Sequence, residues 1–431
     1  MKFQIFSLGC KVNIYESEAV SYDLIKKGFE QCDNNPDVII INTCTVTSQS
    51  DSKSRKLIRS KKEENPNAMI VVMGCYSQLD PNTIVNKLDA DIVIGTNNRS
   101  KIYDLIIEYQ SKKAKINKVE DSKNYKTFEE LCLNKLSLHT RGFIKIQDGC
   151  ENFCSYCAIP YSRGPIKSRN PESVIREVST LVENGVKEII LSGINTGTYG
   201  KDLGNINLAK LIERIIIEVP NLYRLRLSSI ELMEISDELL NVISKYSQKI
   251  ANHLHIPLQS GSDGVLKRME RKYSMKEYFE KIKIIKNQFP NIAITTDCLA
   301  GFVGETEAEF EETCESFRKI EFAEAHIFPY SIRPNTKAYT MPNHLKPELI
   351  KERARALQSI AKELSLKYKN KFINQTMPVL FEQMKKGYWH GHTSNYLEVK
   401  VKNEDIDLTN KVINVKLLRL ENEIIIGEEV K

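Results

Sequence analysis

Three cysteines stand in the spacing C-x3-C-x2-C: Cys150, Cys154 and Cys157, within Gln147-Asp148-Gly149-Cys150-Glu151-Asn152-Phe153-Cys154-Ser155-Tyr156-Cys157. A loop this short can wrap one corner of a cubane. Three thiolates hold three irons of a [4Fe–4S] cluster, and the fourth iron stays open to a ligand. A structural zinc site wants four ligands, usually as two C-x2-C pairs. No fourth Cys or His lies close enough in the chain to complete one. Tyr156, just before the third cysteine, sets a flat ring beside the loop.

Three further cysteines are placed by their elements. Apolar runs end in Cys10 (Phe3 to Gly9), in Cys44 (Val38 to Thr43) and in Cys75 (Met69 to Gly74), and a helical pattern follows each; a fourth run, Asp91 to Gly95, has no cysteine. Strands alternating with helices predict a doubly wound parallel sheet. Ligands of such sheets bind beyond the carboxyl ends of the strands. Cys10, Cys44 and Cys75 are therefore expected to converge, as ligands of a second cluster with one iron open; three small buried hydrophobes are the plainer alternative.

From about residue 140 a second alternating series begins. Strands are expected at Phe143 to Gln147, Glu188 to Leu191, Tyr223 to Leu227, His253 to Pro257, Ile292 to Asp297 and Ala325 to Phe328. A helix start is marked by Asn170-Pro171 and another by Thr306 with Glu309, a capping box. Six βα units predict an open, partial (β/α)6 barrel with its site at the carboxyl face of the strands, and Cys150 follows the first strand. After a helical stretch from Pro347 to about Lys371, short strands at Met377 to Phe381, Tyr396 to Val401, Val412 to Leu417 and Ile424 to Ile426 predict a small β-barrel of the oligonucleotide-binding kind. Overall this is an α/β protein.

The 431 residues allow two or three domains, and a hydrophobic content of 41% suits a globular chain. No apolar run approaches membrane-spanning length, and the first residues are too interrupted for a signal peptide. A cytoplasmic location is expected. There, ten cysteines read as metal ligands or core residues rather than disulfides. The net charge of +6, from 62 basic and 56 acidic residues, says little alone. Two lysine- and arginine-rich runs say more: Lys53, Arg55, Lys56, Arg59, Lys61 and Lys62 on one predicted helix, and Lys112, Lys113, Lys115, Lys118, Lys123 and Lys126 in a poorly periodic stretch from about 100 to 135 that reads as a linker or surface excursion. A solvated face and an RNA contact are equally open readings of each.

The C-x3-C-x2-C loop is the signature of radical S-adenosylmethionine enzymes. End to end, the chain resembles their methylthiotransferase family. The matching residues are Gly9-Cys10-Lys11-Val12-Asn13, Asn42-Thr43-Cys44-Thr45-Val46-Thr47, Asp51-Ser52-Lys53-Ser54-Arg55, Gln147-Asp148-Gly149-Cys150 and Pro160-Tyr161-Ser162-Arg163-Gly164. They are most like the branch that acts on N6-threonylcarbamoyladenosine in tRNA. The isopentenyladenosine branch usually reads Gln-Met-Asn after its first cysteine. The resemblance implies an amino-terminal methylthiotransferase domain (1–125), a radical domain (136–367) and a TRAM-like RNA-binding barrel (368–431). Arg333-Pro334-Asn335-Thr336 has Asn where the family commonly has Gly, and Asn is the best substitute in a left-handed turn.

What the resemblance implies chemically is replacement of an aromatic C–H by C–S–CH3 at C2 of the adenosine next to the anticodon. Side chains cannot break such a bond, so a radical cofactor must. S-adenosylmethionine on the Cys150 cluster would supply the 5′-deoxyadenosyl radical, and a second molecule the methyl group; sulfur would sit on the Cys10 cluster. Gly193 and Asn195 would hold the methionine amine, Tyr156 and Gly301 would flank adenine, and Ser229 and Gln259 would meet ribose or carboxylate. Turn and cap roles compete at the glycines. An electron donor, a sulfur source and tRNA are the implied partners, with no membrane. Tyr388, Trp389 and Tyr396 are candidates to stack on a splayed base, at least one of them as core instead. Cys32, Cys132, Cys298 and Cys314 are expected to be structural, and His253 and His255 to serve packing or substrate contact. Two other readings are an isopentenyladenosine methylthiotransferase and a non-catalytic iron–sulfur RNA-binding protein.

Overall fold

The computed structural model describes residues 1–131, 133, 140–403 and 406–430. Cys132 and part of the expected linker lie outside them. The first layer is a parallel six-stranded sheet in the order Glu30–Gln31, Lys2–Ser7, Val38–Thr43, Met69–Gly74, Ile92–Val93, Ile116–Asn117. Val38–Thr43 and Met69–Gly74 are buried throughout, as central strands covered on both faces must be. Val38 and Ile40 pack into one core and Ile39 and Ile41 into another. The stretch expected as a linker contributes helix Ile102–Lys112 and edge strand Ile116–Asn117 to this layer. Its lysines hid the helical spacing of Ile102, Leu105 and Ile106, which are buried.

The second layer holds six parallel strands, Arg141–Lys145, Glu188–Ser192, Arg224–Leu227, His253–His255, Ala293–Ala300 and Glu324–Pro329. They form two three-stranded sheets linked by backbone bridges from Leu225 to Ile250 and from Ser229 to His255. This is the expected open barrel. Leu225, Leu227, Leu254, Ile294 and Ile327 face the surrounding helices in the largest core. By the two-residue period of a strand, Arg224, Arg226, His253, His255, Asp297 and Phe328 face inward. Both helix starts carry their caps: the Asn170 side chain accepts from Glu172 N, and Thr306 and Glu309 form the capping box.

Helix Pro347–Asn370 leads to a closed barrel in the order Thr376–Lys385, Tyr388–His392, Glu398–Val401, Ile424–Glu429, Val412–Glu421. It has one strand more than the four expected. Tyr388–His392 pairs with Thr376–Lys385 across Lys386 and Gly387, whose φ angles are +50° and +77°. Two left-handed residues make a tight hairpin turn, a signal hidden by lysine in place of the usual Asn or Asp.

Candidate functional site

Cys150, Cys154 and Cys157, all half-buried, sit on the loop that leaves the first barrel strand. Gln147–Asp148 and Lys167–Ser168 pair antiparallel at its base. Gly149 has φ +77°, and a Cβ there would clash with the Pro165 carbonyl. Ser155 N donates to Met269 O at 3.0 Å and Cys157 N to Cys154 O at 2.9 Å. Burial pushes the Cys157 thiol up to about 12, Cys154 adding to it, and the Cys150 thiol up to about 11. Such thiols ionise readily only beside a cationic centre. Arg271, buried and ion-paired with Glu231, donates Nη1–H to Cys154 Sγ at 3.4 Å.

Cys10, Cys44 and Cys75 lie at the carboxyl ends of three neighbouring strands of the first sheet. Cys10 occupies the position before helix Lys11–Lys26, and Cys75 opens a helix after Gly74 at φ +105°. A Cβ on Gly9, at φ +107°, would stand 2.9 Å from Cys44 Sγ, so glycine lets these two loops close up. Each thiol lies within electrostatic reach of the other two; burial, then Cys75, raises Cys44 to about 11. Among the described residues no three His, Cys, Asp or Glu side chains close on a single metal ion. Thiols that each take a different iron of a cubane stand further apart than ligands of one ion.

The segment that follows the Cys150 loop reaches the second triad through a residue whose role sequence reasoning missed. Arg163, in the short helix after the Cys150 loop, is fully buried. Its Nε–H points at Cys75 Sγ at 3.2 Å, Nη1 reaches Glu16 Oε1 at 2.5 Å and Nη2 reaches Asn13 Oδ1 at 2.9 Å. Glu16 also takes Arg99 at 2.9 Å and Lys145 at 2.8 Å, and Lys145 holds Asp148 at 2.6 Å. Burial opposes ionisation of Glu16, but Arg163, Arg99 and Lys145 outweigh it and hold its carboxyl well below the usual range. A second clasp closes the far side: Arg333 pairs with Asp51 at 2.6 Å, and Ser331 with Ser48 at 2.6 Å. Asn335 sits at φ +64°, so its turn tolerates the missing glycine.

The expected S-adenosylmethionine residues divide. Asn195 N donates to Gln147 Oε1 at 2.8 Å, while both amide atoms of its buried side chain lack a partner. An orphaned amide that can donate and accept suits an amino acid ligand. Gly193 lies where a Cβ would crowd Gln147. Ser229 and Gln259 are half-exposed on the same face, and neither side chain makes a hydrogen bond among the described residues. Tyr156 packs edge-on against Phe302, centroids 6.2 Å apart. At Gly301, with φ +75°, Ile350 of helix Pro347–Asn370 fills the Cβ position. Cys298 is buried and donates to Gln259 O at 3.1 Å; Cys314 is buried too. His253 and His255 share Thr295 Oγ1, each at 3.0 Å.

The stacking candidates of the tail are engaged elsewhere. Trp389 belongs to the buried core of the closed barrel, and Lys400 covers the Tyr388 ring at 5.0 Å. Tyr396, at φ +66°, inserts against the amino ends of the radical-domain strands. Arg226 lies 4.6 Å over its ring, Arg141 donates to its hydroxyl at 3.3 Å and His253 stands 5.0 Å away. Around it Arg226 binds Glu188 at 2.8 Å and the Ser394 carbonyl at 3.1 Å, and Arg141 binds Glu382 at 3.0 Å.

Residues 144–317 match the model of the Radical SAM superfamily, and residues 2–95 that of Uncharacterized protein family UPF0004. The Threonylcarbamoyladenosine tRNA methylthiotransferase MtaB of Bacillus subtilis (strain 168) is 40% identical over 96% of this chain and 93% of its own. The MtaB of Thermotoga maritima is 38% identical over 92% and 90%. The tRNA-2-methylthio-N(6)-dimethylallyladenosine synthase of Pelotomaculum thermopropionicum is 34% identical over 96% and 94%. Among solved structures, the radical S-adenosylmethionine methyltransferase TsrM of Kitasatospora setae overlays with a TM-score of 0.57 at 13% identity, over 78% of this chain and 76% of that one; its likeness is one of fold. Among the described residues no helix is long and apolar enough to cross a membrane.

Proposed function

The chain belongs to the radical S-adenosylmethionine tRNA methylthiotransferases, and on that premise we propose that it methylthiolates C2 of N6-threonylcarbamoyladenosine next to the anticodon of tRNA. S-adenosylmethionine serves as methyl donor and radical source, and the tRNA places the reaction in the cytoplasm. The observation that carries the reading is Arg163, which closes the helix following the Cys150 loop and donates to Cys75 Sγ of the second triad; the triads would belong to two domains, residues 1–125 and 136–367. One triad suffices for a radical; the second gives the inserted sulfur its own seat. Cys150, Cys154 and Cys157 would hold one [4Fe–4S] cluster and Cys10, Cys44 and Cys75 another. When bound, the first supplies the electron that cleaves S-adenosylmethionine and the second presents the sulfur.

The protein's own groups do the positioning. Asn195, with Ser229 and Gln259, offers hydrogen bonds to the amino acid and ribose parts of S-adenosylmethionine, and Tyr156 a ring edge to its adenine. Gly193 keeps Gln147 tight against the Cys150 loop; Gly301 serves the fit of helix Pro347–Asn370. Arg271 and Arg163 each donate an N–H to one sulfur of a triad, Cys154 and Cys75 respectively. Glu16, Arg99 and Lys145 fix the angle between the domains, so that one substrate face meets both centres. An external one-electron donor and a sulfur source complete the reaction. The test is mass spectrometry of tRNA nucleosides from a strain lacking this chain. Loss of 2-methylthio-N6-threonylcarbamoyladenosine, with the isopentenyl derivative intact, is expected. The reverse pattern assigns the chain to the isopentenyladenosine branch, and no change in either removes the proposal.

A further inference from the structure

With Trp389 in a core and Tyr396 inserted into the radical domain, the tail offers little to a splayed base. A different surface does. Phe328, on the inward face of the sixth barrel strand, is 40% exposed. Ile332, in the loop that follows, is 43% exposed, and Val46, two residues beyond Cys44, 58%. The Ser48–Ser331 and Asp51–Arg333 contacts bring these two loops together. These three exposed apolar side chains, carried on adjoining segments, are taken together as one apolar wall beside the Cys44 loop. His326 lies two residues before Phe328, its ring stacked 6.2 Å from His255.

The wall adjoins an unneutralised basic face. Helix Ser48–Glu64 starts at Ser48, on the wall itself. Lys53, Lys56 and Arg59 are exposed on it and make no hydrogen bond or ion pair among the described residues. Lys61 and Lys62 further along have carboxylate partners, and Arg55 is taken by the Tyr76 hydroxyl. An exposed aromatic ring and a row of unpaired cations on adjoining segments suit single-stranded nucleic acid: bases stack and phosphates pair.

We propose that the anticodon-loop strand crosses the molecule here, its phosphates on Lys53, Lys56 and Arg59 and its target base against Phe328, with Ile332 and Val46 shielding the stack. This rests on the tRNA reading above and places the target nucleotide on the amino-terminal and radical domains, leaving the rest of the tRNA to the tail. Three consequences are physical. The target base arrives at the carboxyl face of the barrel, beside the Cys44 loop. The contact is apolar at the base and electrostatic only along the backbone. Discrimination among bases at Phe328 is weak, because every base has a π-face.

The experiment measures binding of an anticodon stem-loop RNA carrying N6-threonylcarbamoyladenosine, and of the same stem-loop abasic at that nucleotide, to iron-loaded full-length protein. Phe328→Ala should weaken binding of the intact loop roughly 5- to 150-fold, the range of one lost base stack, and leave the abasic loop's affinity unchanged. Phe328→Tyr should restore it. Lys53→Gln, Lys56→Gln and Arg59→Gln should weaken both loops equally, and each should lower the salt slope by roughly 0.7, the value for one single-strand phosphate contact. Iron content and melting temperature check that each variant is folded. Equal affinity of wild type and Phe328→Ala for the intact loop, or equal losses on both loops, overturns the wall. Failure of the wild type to bind either loop overturns the tRNA reading with it. A folded Lys53→Gln, Lys56→Gln, Arg59→Gln triple variant with an unchanged salt slope overturns the strand path.

Discussion

Replacing Arg163 by Met keeps its bulk and removes its charge from the junction of the two cysteine domains. Glu16 loses its 2.5 Å partner but keeps Arg99 at 2.9 Å and Lys145 at 2.8 Å. Removing one member of a buried ion pair costs roughly 3–5 kcal/mol. With two cations remaining, the lower end applies, about 3 kcal/mol. Asn13 Oδ1 then loses its 2.9 Å donor and keeps only the long 3.9 Å contact from the Cys10 thiol, and a poorly satisfied buried acceptor adds about 1 kcal/mol. The junction should weaken by about 4 kcal/mol. Arg163→Met/Glu16→Gln should cost less than the sum of the single changes, since the orphaned carboxylate is gone; coupling on the order of 1–3 kcal/mol is expected for side chains in contact. A chain of several domains need not unfold in one step. The assay is therefore local: amide hydrogen exchange of helix Lys11–Lys26 in the iron-free, reduced protein, read as an opening free energy. A loss under about 1 kcal/mol in Arg163→Met, or strict additivity in the double variant, would refute the view that this arginine locks the two domains.

Anaerobically reconstituted protein should bind about eight irons per chain; replacing Cys150, Cys154 and Cys157 together by Ala should halve that and abolish 5′-deoxyadenosine formation, and an unchanged count would remove the two-cluster reading. Cys44→Ala should still cleave S-adenosylmethionine, at a reduced rate, yet make no methylthio product; normal product would make the amino-terminal cysteines structural. Tyr396→Ala, or truncation after Asn370, should lower the melting temperature of the radical domain as well as tRNA affinity, because it uncovers Arg226 and Glu188; unaltered melting would show that the tail is merely tethered. Burial disfavours the Glu188 carboxylate, but Arg226, Arg224 and Arg141 hold its pKa at about 2, against an ordinary value of 4.5. Its stabilisation is complete above pH 4.5 and is lost as pH falls through about 2, a span worth about 3 kcal/mol. Glu188→Gln in the iron-free protein should flatten stability over that window, and an unchanged acid limb would be inconsistent with the assignment.

The strand–cysteine–helix rhythm was legible because a parallel sheet delivers whatever ends its strands to one edge. That rule located Cys10, Cys44 and Cys75 from isolated positions, and the six barrel strands followed from the same alternation. Arg163 was visible only as one letter of a motif. Arginine is normally exposed, and nothing local announces that Glu16, far away in sequence, will bury it. Tyr396 misled for a related reason. An aromatic residue in a β-module reads as core or as a stacking platform, whereas its partners Arg141, Arg226 and His253 come from three separate strands of another domain. Strand Tyr388–His392 was missed because two histidines, a glycine and a lysine-bearing turn blur its alternation. Helix Ile102–Lys112 was masked by charge, although its apolar spacing was present.

The plug formed by Tyr396 bears on how such proteins can be recombined. A module on a flexible leash can be exchanged between relatives with its own ligand preference intact. Here the carboxyl-terminal barrel shares a charged keyway with the radical domain: Glu188, Arg226 and Arg141 on one side, and Tyr396, Glu382 and the Thr393 and Ser394 carbonyls on the other. A graft that brings a foreign tail without the matching key leaves two arginines and a glutamate facing the wrong surface. Viable chimaeras should therefore be cut so that Arg141, Glu188 and Arg226 travel with residues 382 to 396, although more than a hundred residues of chain separate the two halves of the lock.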